Sequence, residues 1–216
     1  MPSLDAELLI FDLDGTLVDT RRDLFNAVNY ALRQLGKNEL DLQNLTSYVG
    51  DGLSKLLERA LVNPSGSELE IARRHFHYFY SAHLADFSQP FAGISAMLEH
   101  FAEKKKAVLT NKPQEFTDAL LQRLEICKYF KMIIGGQPNL KLKPDPEAVL
   151  KILRHFEVPP SRAMIIGDGE NDILAGKAAG IMTGAVTYGF RPMEKLLALH
   201  PDFIVGDPME LRNFIV

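Results

Sequence analysis

Strand-like and helix-like stretches alternate through most of this chain, and that alternation leaves few folds open. Short apolar runs at Leu8–Phe11, Ala107–Leu109, Met132–Ile134, Ala163–Ile166, Met182–Val186 and Phe203–Val205 read as buried strands. Between several of them, apolar residues recur at helical spacing: Ile94, Met97, Leu98 and Phe101; Phe116, Leu120, Leu121 and Leu124; Val149, Ile152, Leu153 and Phe156. Strands separated by helices of this length predict an α/β fold with a doubly wound parallel sheet. Ligands of such sheets sit outside the carboxyl ends of the strands.

One segment breaks the pattern. From about Thr20 to Gln89 no strand pattern is visible. Leu24, Val28, Leu32 and Leu35 form a helical stripe that ends at Gly36, a natural helix C-cap. Leu53, Leu56, Leu57, Ala60 and Leu61 form a second, and Glu68 to Ala85 reads as a third, aromatic-rich helix. A length of 216 residues accommodates one large domain with an insertion. The expectation is a core domain of residues 1–16 and 91–216, interrupted by a small all-helical domain of residues 17–90. The Pro and Gly of Gln89-Pro90-Phe91-Ala92-Gly93 suit a hinge where the chain returns.

The polar residues that matter stand at the predicted strand ends. The first strand runs into Asp12-Leu13-Asp14-Gly15-Thr16. Acids at i and i+2 on an extended end point to one side, and crowding two carboxylates costs free energy unless a cation or a shared proton relieves them. Gly15 lets the backbone bend away directly afterwards. The second strand ends in Thr110-Asn111-Lys112, and the strand at Ala163–Ile166 ends in Gly167-Asp168-Gly169-Glu170-Asn171-Asp172. Lys141-Leu142-Lys143-Pro144-Asp145-Pro146 precedes a helix. Acids, a hydroxyl and a lysine gathered on one rim suit a Mg²⁺ site facing a phosphoryl group. Each piece also has a plainer reading. Asp-Gly is a common turn, Thr110 and Asn111 are good helix caps, Asp168 and Asp172 are placed to cap a helix over residues 172–179, and Lys141 competes with Lys143.

Taken together the pieces resemble the haloacid dehalogenase superfamily of phosphatases and phosphotransferases. Asp12-Leu13-Asp14-Gly15-Thr16, Thr110 with Asn111, Lys143 in Lys143-Pro144-Asp145-Pro146, and Gly167-Asp168 with Asn171-Asp172 look like its four motifs, in order and across nearly the whole chain. The helical block resembles that family's type 1 cap on a Rossmann-like core. The resemblance implies that Asp12 is the nucleophile that forms an aspartyl-phosphate and Asp14 the general acid and base. It implies Mg²⁺ held by the Asp12 carboxylate, the Asp14 carbonyl and Asp168. Thr110, with Asn111, would bind the substrate phosphate, Lys143 would balance the negative charge, and Asp172 would orient Lys143 or a metal-bound water. Lys143 is preferred to Lys141 because its prolines match the family pattern.

A finer resemblance, to bacterial phosphoglycolate phosphatases and their relatives, rests on Asp14-Gly15-Thr16-Leu17-Val18-Asp19-Thr20, Tyr48-Val49-Gly50-Asp51-Gly52 and Leu57-Glu58-Arg59-Ala60-Leu61. It implies a small-molecule phosphate ester such as phosphoglycolate as substrate. Gly50 and its neighbours would contact an anion through free N–H groups, with Lys55 as the candidate cation for the substrate carboxylate and Arg59 as its rival. Gln137 departs from that group, which usually has an acid there. Asp14 argues against a dehalogenase or a phosphonatase, which lack the second acid. It leaves a β-phosphoglucomutase-like enzyme as an alternative, alongside a non-catalytic relative that binds a phosphorylated ligand. A receiver domain would not carry its aspartate at the end of the first strand within Asp-x-Asp-Gly-Thr.

A net charge of −4 gives no reason to expect nucleic acid or membrane as partner. No apolar run approaches transmembrane length, and Met1-Pro2-Ser3-Leu4-Asp5 lacks the features of a signal peptide. The single cysteine, Cys127, allows no intrachain disulfide and reads as packing. A cytoplasmic monomer or homodimer is the expectation. The six histidines show no ligand spacing.

Overall fold

A computed structural model describes residues 5–215. Residues 1–4, most of the stretch read for a signal peptide, and residue 216 lie outside the described residues. The chain forms β1 (Leu8–Phe11), a short β2 (Val18–Asp19), then four helices, α1 (Arg21–Gln34), α2 (Leu42–Tyr48), α3 (Leu53–Leu61) and α4 (Gly66–His83). After a short β3 (Gln89–Pro90), helix and strand alternate: α5 (Ile94–His100), β4 (Lys105–Pro113), α6 (Gln114–Arg123), β5 (Met132–Gly136), α7 (Glu147–Phe156), β6 (Ala163–Gly167), α8 (Glu170–Ala179), β7 (Met182–Val186), α9 (Met193–Leu197) and β8 (Phe203–Val205).

Six of these strands make one parallel sheet in the order β5-β4-β1-β6-β7-β8, a Rossmann-like α/β core. β1 sits between β4 and β6, with Leu8 level with both Lys105 and Ala163. Its side chains alternate between two cores. Leu9 and Phe11 join the cluster that includes α5 and the helical segment, and Leu8 and Ile10 join the cluster under α7 and α8. Burial on both faces is why this strand reads as an unbroken apolar run. The chain leaves β1 toward β4 on one side and reaches β6 on the other, so the strand order reverses at β1. That reversal opens a crevice at the carboxyl ends, directly above Asp12.

β1, β7 and β8 fall where the sequence predicts them. β4 runs on to Pro113 rather than ending at Leu109, with a shift in its pairing to β5 between Leu109 and Pro113. Thr110, Asn111 and Lys112 therefore lie in the strand and do not cap α6, whose N-cap is Pro113.

Between β2 and β3 every regular element among the described residues is helical. The helix ends are set locally. Gly36, at φ +64, closes α1 by donating to the Arg33 carbonyl, and Ser65 with Glu68 forms a reciprocal capping box that starts α4. α2 was not legible as a stripe because it buries only Leu45. Its start is fixed by Asp41, whose carboxylate accepts the Asn44 N–H at 2.7 Å. Tyr80 and Phe76 of α4 are fully buried, and the insert packs on the Leu9/Phe11 face as one continuous apolar cluster. The two crossings into and out of the insert pair as an antiparallel ribbon, Val18 with Pro90. Buried Asp23 ties the return, accepting from Ser88 N–H at 2.7 Å and Ser88 Oγ at 2.6 Å. No helix among the described residues is long and apolar enough to cross a membrane.

Candidate active site

At the crevice, four chain segments meet in one cluster of charge. Lys143, in the loop before α7, has its side chain 2% exposed, and its Nζ donates to Asp12 Oδ1 at 2.9 Å, Asp172 Oδ1 at 2.5 Å and the Leu109 carbonyl at 2.7 Å. All three of its N–H bonds are thus used. Burial works against its charge, but Asp12 and Asp172 outweigh that and hold the ammonium above the usual lysine range. The rival Lys141 is 72% exposed and pairs with Asp145. Asn111 selects between them. Its Oδ1 accepts the Lys143 N–H and its Nδ2 donates to the Lys143 carbonyl, both at 2.8 Å, clamping that residue's backbone over the sheet.

Asp168, just past β6, is buried and tightly framed. Its Oδ2 accepts the Phe190 N–H at 2.7 Å and its Oδ1 accepts from Thr16 Oγ1 at 3.2 Å. Gly15, at φ +87, leaves it room: a Cβ there would stand 2.3 Å from Asp168 Oδ2. Burial, and then the charge of Asp12, push the Asp168 carboxyl up to about 8. Burial also raises Asp172, against the pull of Lys143. Asp172 additionally accepts the Gly169 N–H at the start of α8, so its capping and charge-pairing roles coexist.

Oxygens of Asp12, Asp168 and Asp172 lie within 4.8 Å of one another. Three carboxylates face one ammonium here, so the cluster is short of positive charge, and hard oxygen donors at this spacing fit a divalent cation of the Mg²⁺ class.

Asp14 stands beside this cluster with different partners. Its Oδ1 accepts from Thr20 Oγ1 at 2.8 Å and from Lys112 Nζ at 3.0 Å. Lys112 is buried and also donates to the hydroxyl of Tyr80, on α4, at 2.8 Å. Burial opposes its charge, yet Asp14 and Tyr80 keep the ammonium above the usual lysine range. Burial pushes the Tyr80 phenol up to about 12, so it stays protonated. In the sequence Lys112 follows Thr110-Asn111 without a role of its own, and Tyr80 stands there as one aromatic of the third helix of the insert. No signal in the sequence sets Lys112 apart from the other lysines, because its burial is decided by the tertiary structure, and Tyr80 reads from sequence only as core.

Asp12, Asp14, Thr110, Asn111, Lys112, Lys143, Asp168 and Asp172 all line one cleft. Its far wall is the insert: Leu24, Val49, Leu53, Leu56, Phe76 and Tyr80. Gly50 and Gly52 also line it, but the Gly50 contact seen is through its carbonyl, which accepts from Asn111 Nδ2 at 2.9 Å and Asn171 Nδ2 at 3.3 Å. Arg191, from the loop after β7, donates to the carbonyls of Thr46, Ser47 and Val49 at the end of α2 and to Glu170, latching the insert to the core. Lys55 is not brought to the cleft. It lies on the exposed face of α3, 2.7 Å from Glu58, because helical periodicity turns Leu53 and Leu56 inward and Lys55 outward. Arg59 is engaged with Asp51 and the Tyr48 carbonyl.

Residues 9–186 match the haloacid dehalogenase-like hydrolase family. The chain belongs to that family. A phosphoglycolate phosphatase of Aquifex aeolicus is 36% identical over 207 residues, covering 94% of each chain. One of Pseudomonas savastanoi is 34% identical over 212 residues, covering 95% of this chain and 78% of the relative. Among solved structures, a protein of Haemophilus somnus described as a predicted phosphoglycolate phosphatase superposes with a TM-score of 0.90 at 27% identity, over 97% of both chains. This haloacid dehalogenase-like protein is thus an enzyme of the hydrolase class, and its curated relatives are phosphoric monoester hydrolases.

Proposed function

We propose that this hydrolase is a Mg²⁺-dependent phosphatase of a small organic phosphomonoester, with phosphoglycolate the leading candidate, acting through an aspartyl-phosphate on Asp12. The observation that carries the reading is the junction of Asp12, Lys143, Asp172 and Asp168 at one strand-end crevice under an apolar helical wall. The carboxylates of Asp12 and Asp168 and the carbonyl of Asp14 would hold Mg²⁺. Once bound, the cation would offset the repulsion between the Asp12 carboxylate and an incoming phosphate. Asp12 attacks phosphorus as the bond to the alcohol oxygen breaks, and Asp14 delivers a proton to that oxygen. Asp14 then takes a proton from water, which attacks phosphorus, frees Asp12 and yields inorganic phosphate. Thr110, whose buried hydroxyl lines the cleft, binds a phosphate oxygen. Lys143 holds Asp12 in place beside the phosphate, and Asp172 fixes Lys143.

The helical insert, residues 17–90 on the sequence reading, acts as a cap that excludes water, with the β2–β3 ribbon as its hinge. The lone Cys127 is in keeping with a reducing cytoplasm, where the chain would work as a monomer or homodimer. Phosphate release from a panel of small phosphoesters, with Mg²⁺ and with EDTA, tests the proposal. Mg²⁺-dependent release, fastest with phosphoglycolate, is expected. Conversion of a sugar phosphate to its isomer without free phosphate, or no release from any compound, overturns it.

A further inference from the structure

A side-chain amide has two N–H donors and an oxygen that accepts, and Asn111 commits all of them to backbone. Nδ2 donates to the Lys143 carbonyl at 2.8 Å and to the Gly50 carbonyl at 2.9 Å, and Oδ1 accepts the Lys143 N–H at 2.8 Å. The residue is buried. With both donors used, the side chain has none left for a phosphate oxygen, although it lines the cleft. Its bonds join three separate parts of the chain. Gly50 lies in the insert between α2 and α3, Asn111 stands on β4 of the core, and Lys143 is in the loop before α7. Asn171, at the start of α8, reaches the same Gly50 carbonyl at 3.3 Å. That one carbonyl therefore marks where the insert sits on the core.

We infer that Asn111 is a positioning residue that passes the seating of the insert to Lys143. With Gly50 in place, both Nδ2 hydrogens are paired and the amide plane is fixed. The amide then holds the Lys143 backbone on both sides of its Cα, in the orientation from which Nζ meets Asp12 at 2.9 Å. With the insert lifted, one hydrogen of a buried amide loses its partner. The last torsion of an asparagine side chain is broad, so the amide is then free to turn, and the two bonds to Lys143 loosen with it. The ammonium is thus aligned with Asp12 only while the cleft is shut against water. The coupling is reciprocal, so whatever steadies Lys143 also favours the seated insert. The inference rests on the phosphatase reading and deepens it, by naming the residue through which closure reaches the charge beside Asp12.

Two substitutions test the relay from opposite ends. Asn111→Ala removes it. Gly50→Ala shifts the carbonyl that feeds it, because φ +119 disfavours any side chain and a Cβ there would stand 3.2 Å from Arg191 Nη2. Hydrogen exchange at the Lys143 N–H reads the relay with no substrate present. In Gly50→Ala, whose carbonyl reaches Lys143 through Asn111, that exchange should quicken about 10-fold. Adding Gly50→Ala to Asn111→Ala should quicken it no further. Unchanged exchange in Gly50→Ala, or the same quickening with and without Asn111, overturns the relay. Circular dichroism checks both folds. Arg191→Ala, which frees the neighbouring Val49 carbonyl and leaves Gly50 unchanged, supplies a second reading from the insert side and should also quicken Lys143. With phosphoglycolate as substrate, Asn111→Ala should lose about 10–100-fold in kcat while KM stays within about threefold. A raised KM at unchanged kcat would put Asn111 on the substrate and refute a positioning role. The exchange result needs no turnover, so it decides the relay even if no phosphate is ever released. Unchanged exchange beside Mg²⁺-dependent release refutes the relay and leaves the phosphatase intact.

Discussion

Replacing Lys143 by Met should expose the energetic logic of the crevice. The substitution keeps the stem and deletes a charge that is 2% exposed, leaving Asp12 and Asp172 with no cation among the described residues. Breaking a buried ion pair from one side costs about 3–5 kcal/mol, because the surviving charge stays desolvated. For a chain of this size each kcal/mol moves Tm by about 2–4 °C, so Tm should fall by about 6–20 °C in EDTA. Asp172→Asn alone should cost far less, since Lys143 keeps Asp12 and the Leu109 carbonyl. The double variant should recover about 1–3 kcal/mol relative to additivity, because one of the two stranded charges is gone. Thermal denaturation followed by circular dichroism measures all three. If Lys143→Met melts within 2 °C of wild type, or the double variant is simply additive, the ammonium is not what holds these carboxylates together.

Three further outcomes are expected. Asp12→Asn should lower kcat by about 10³-fold or more while Tm in EDTA holds or rises; turnover near the wild-type rate would remove Asp12 as nucleophile. The Asp168 carboxyl is raised from 3.8 to about 8, so between those values the folded state keeps a proton that the unfolded state has lost. Metal-free stability should therefore drop by up to about 1.4 kcal/mol per pH unit from this group between pH 4 and 8, and level off above. Mg²⁺ removes the need for that proton, so the Tm gain on adding Mg²⁺ should grow from pH 5 to pH 8 in differential scanning fluorimetry, and a constant gain contradicts the cation site. Arg191→Ala frees the carbonyls of Thr46, Ser47 and Val49, so hydrogen exchange in residues 42–52 should quicken and KM should rise; unchanged exchange there would show that Arg191 does not latch the insert.

The parallel sheet was legible because β1, β6 and β7 are buried on both faces, which forces runs such as Leu8–Phe11 to be apolar throughout. α2 was not, because one buried leucine makes no period, and the end of β4 was hidden because Thr110-Asn111-Lys112 looks like a helix start. The acids and Lys143 stood out because their spacing and flanking Gly and Pro are unusual; Lys112 looked like one lysine among many.

The sequence by itself determined that strands would alternate with helices, that acids would stand at the strand ends, and that helices would interrupt the core, because these follow from periodicity and local backbone preference. Only the tertiary structure decided that Lys143 and not Lys141 is buried, that Lys55 turns outward, and that Lys112 meets Tyr80. Those choices depend on desolvation and on contacts between residues tens of positions apart, and no local pattern encodes either.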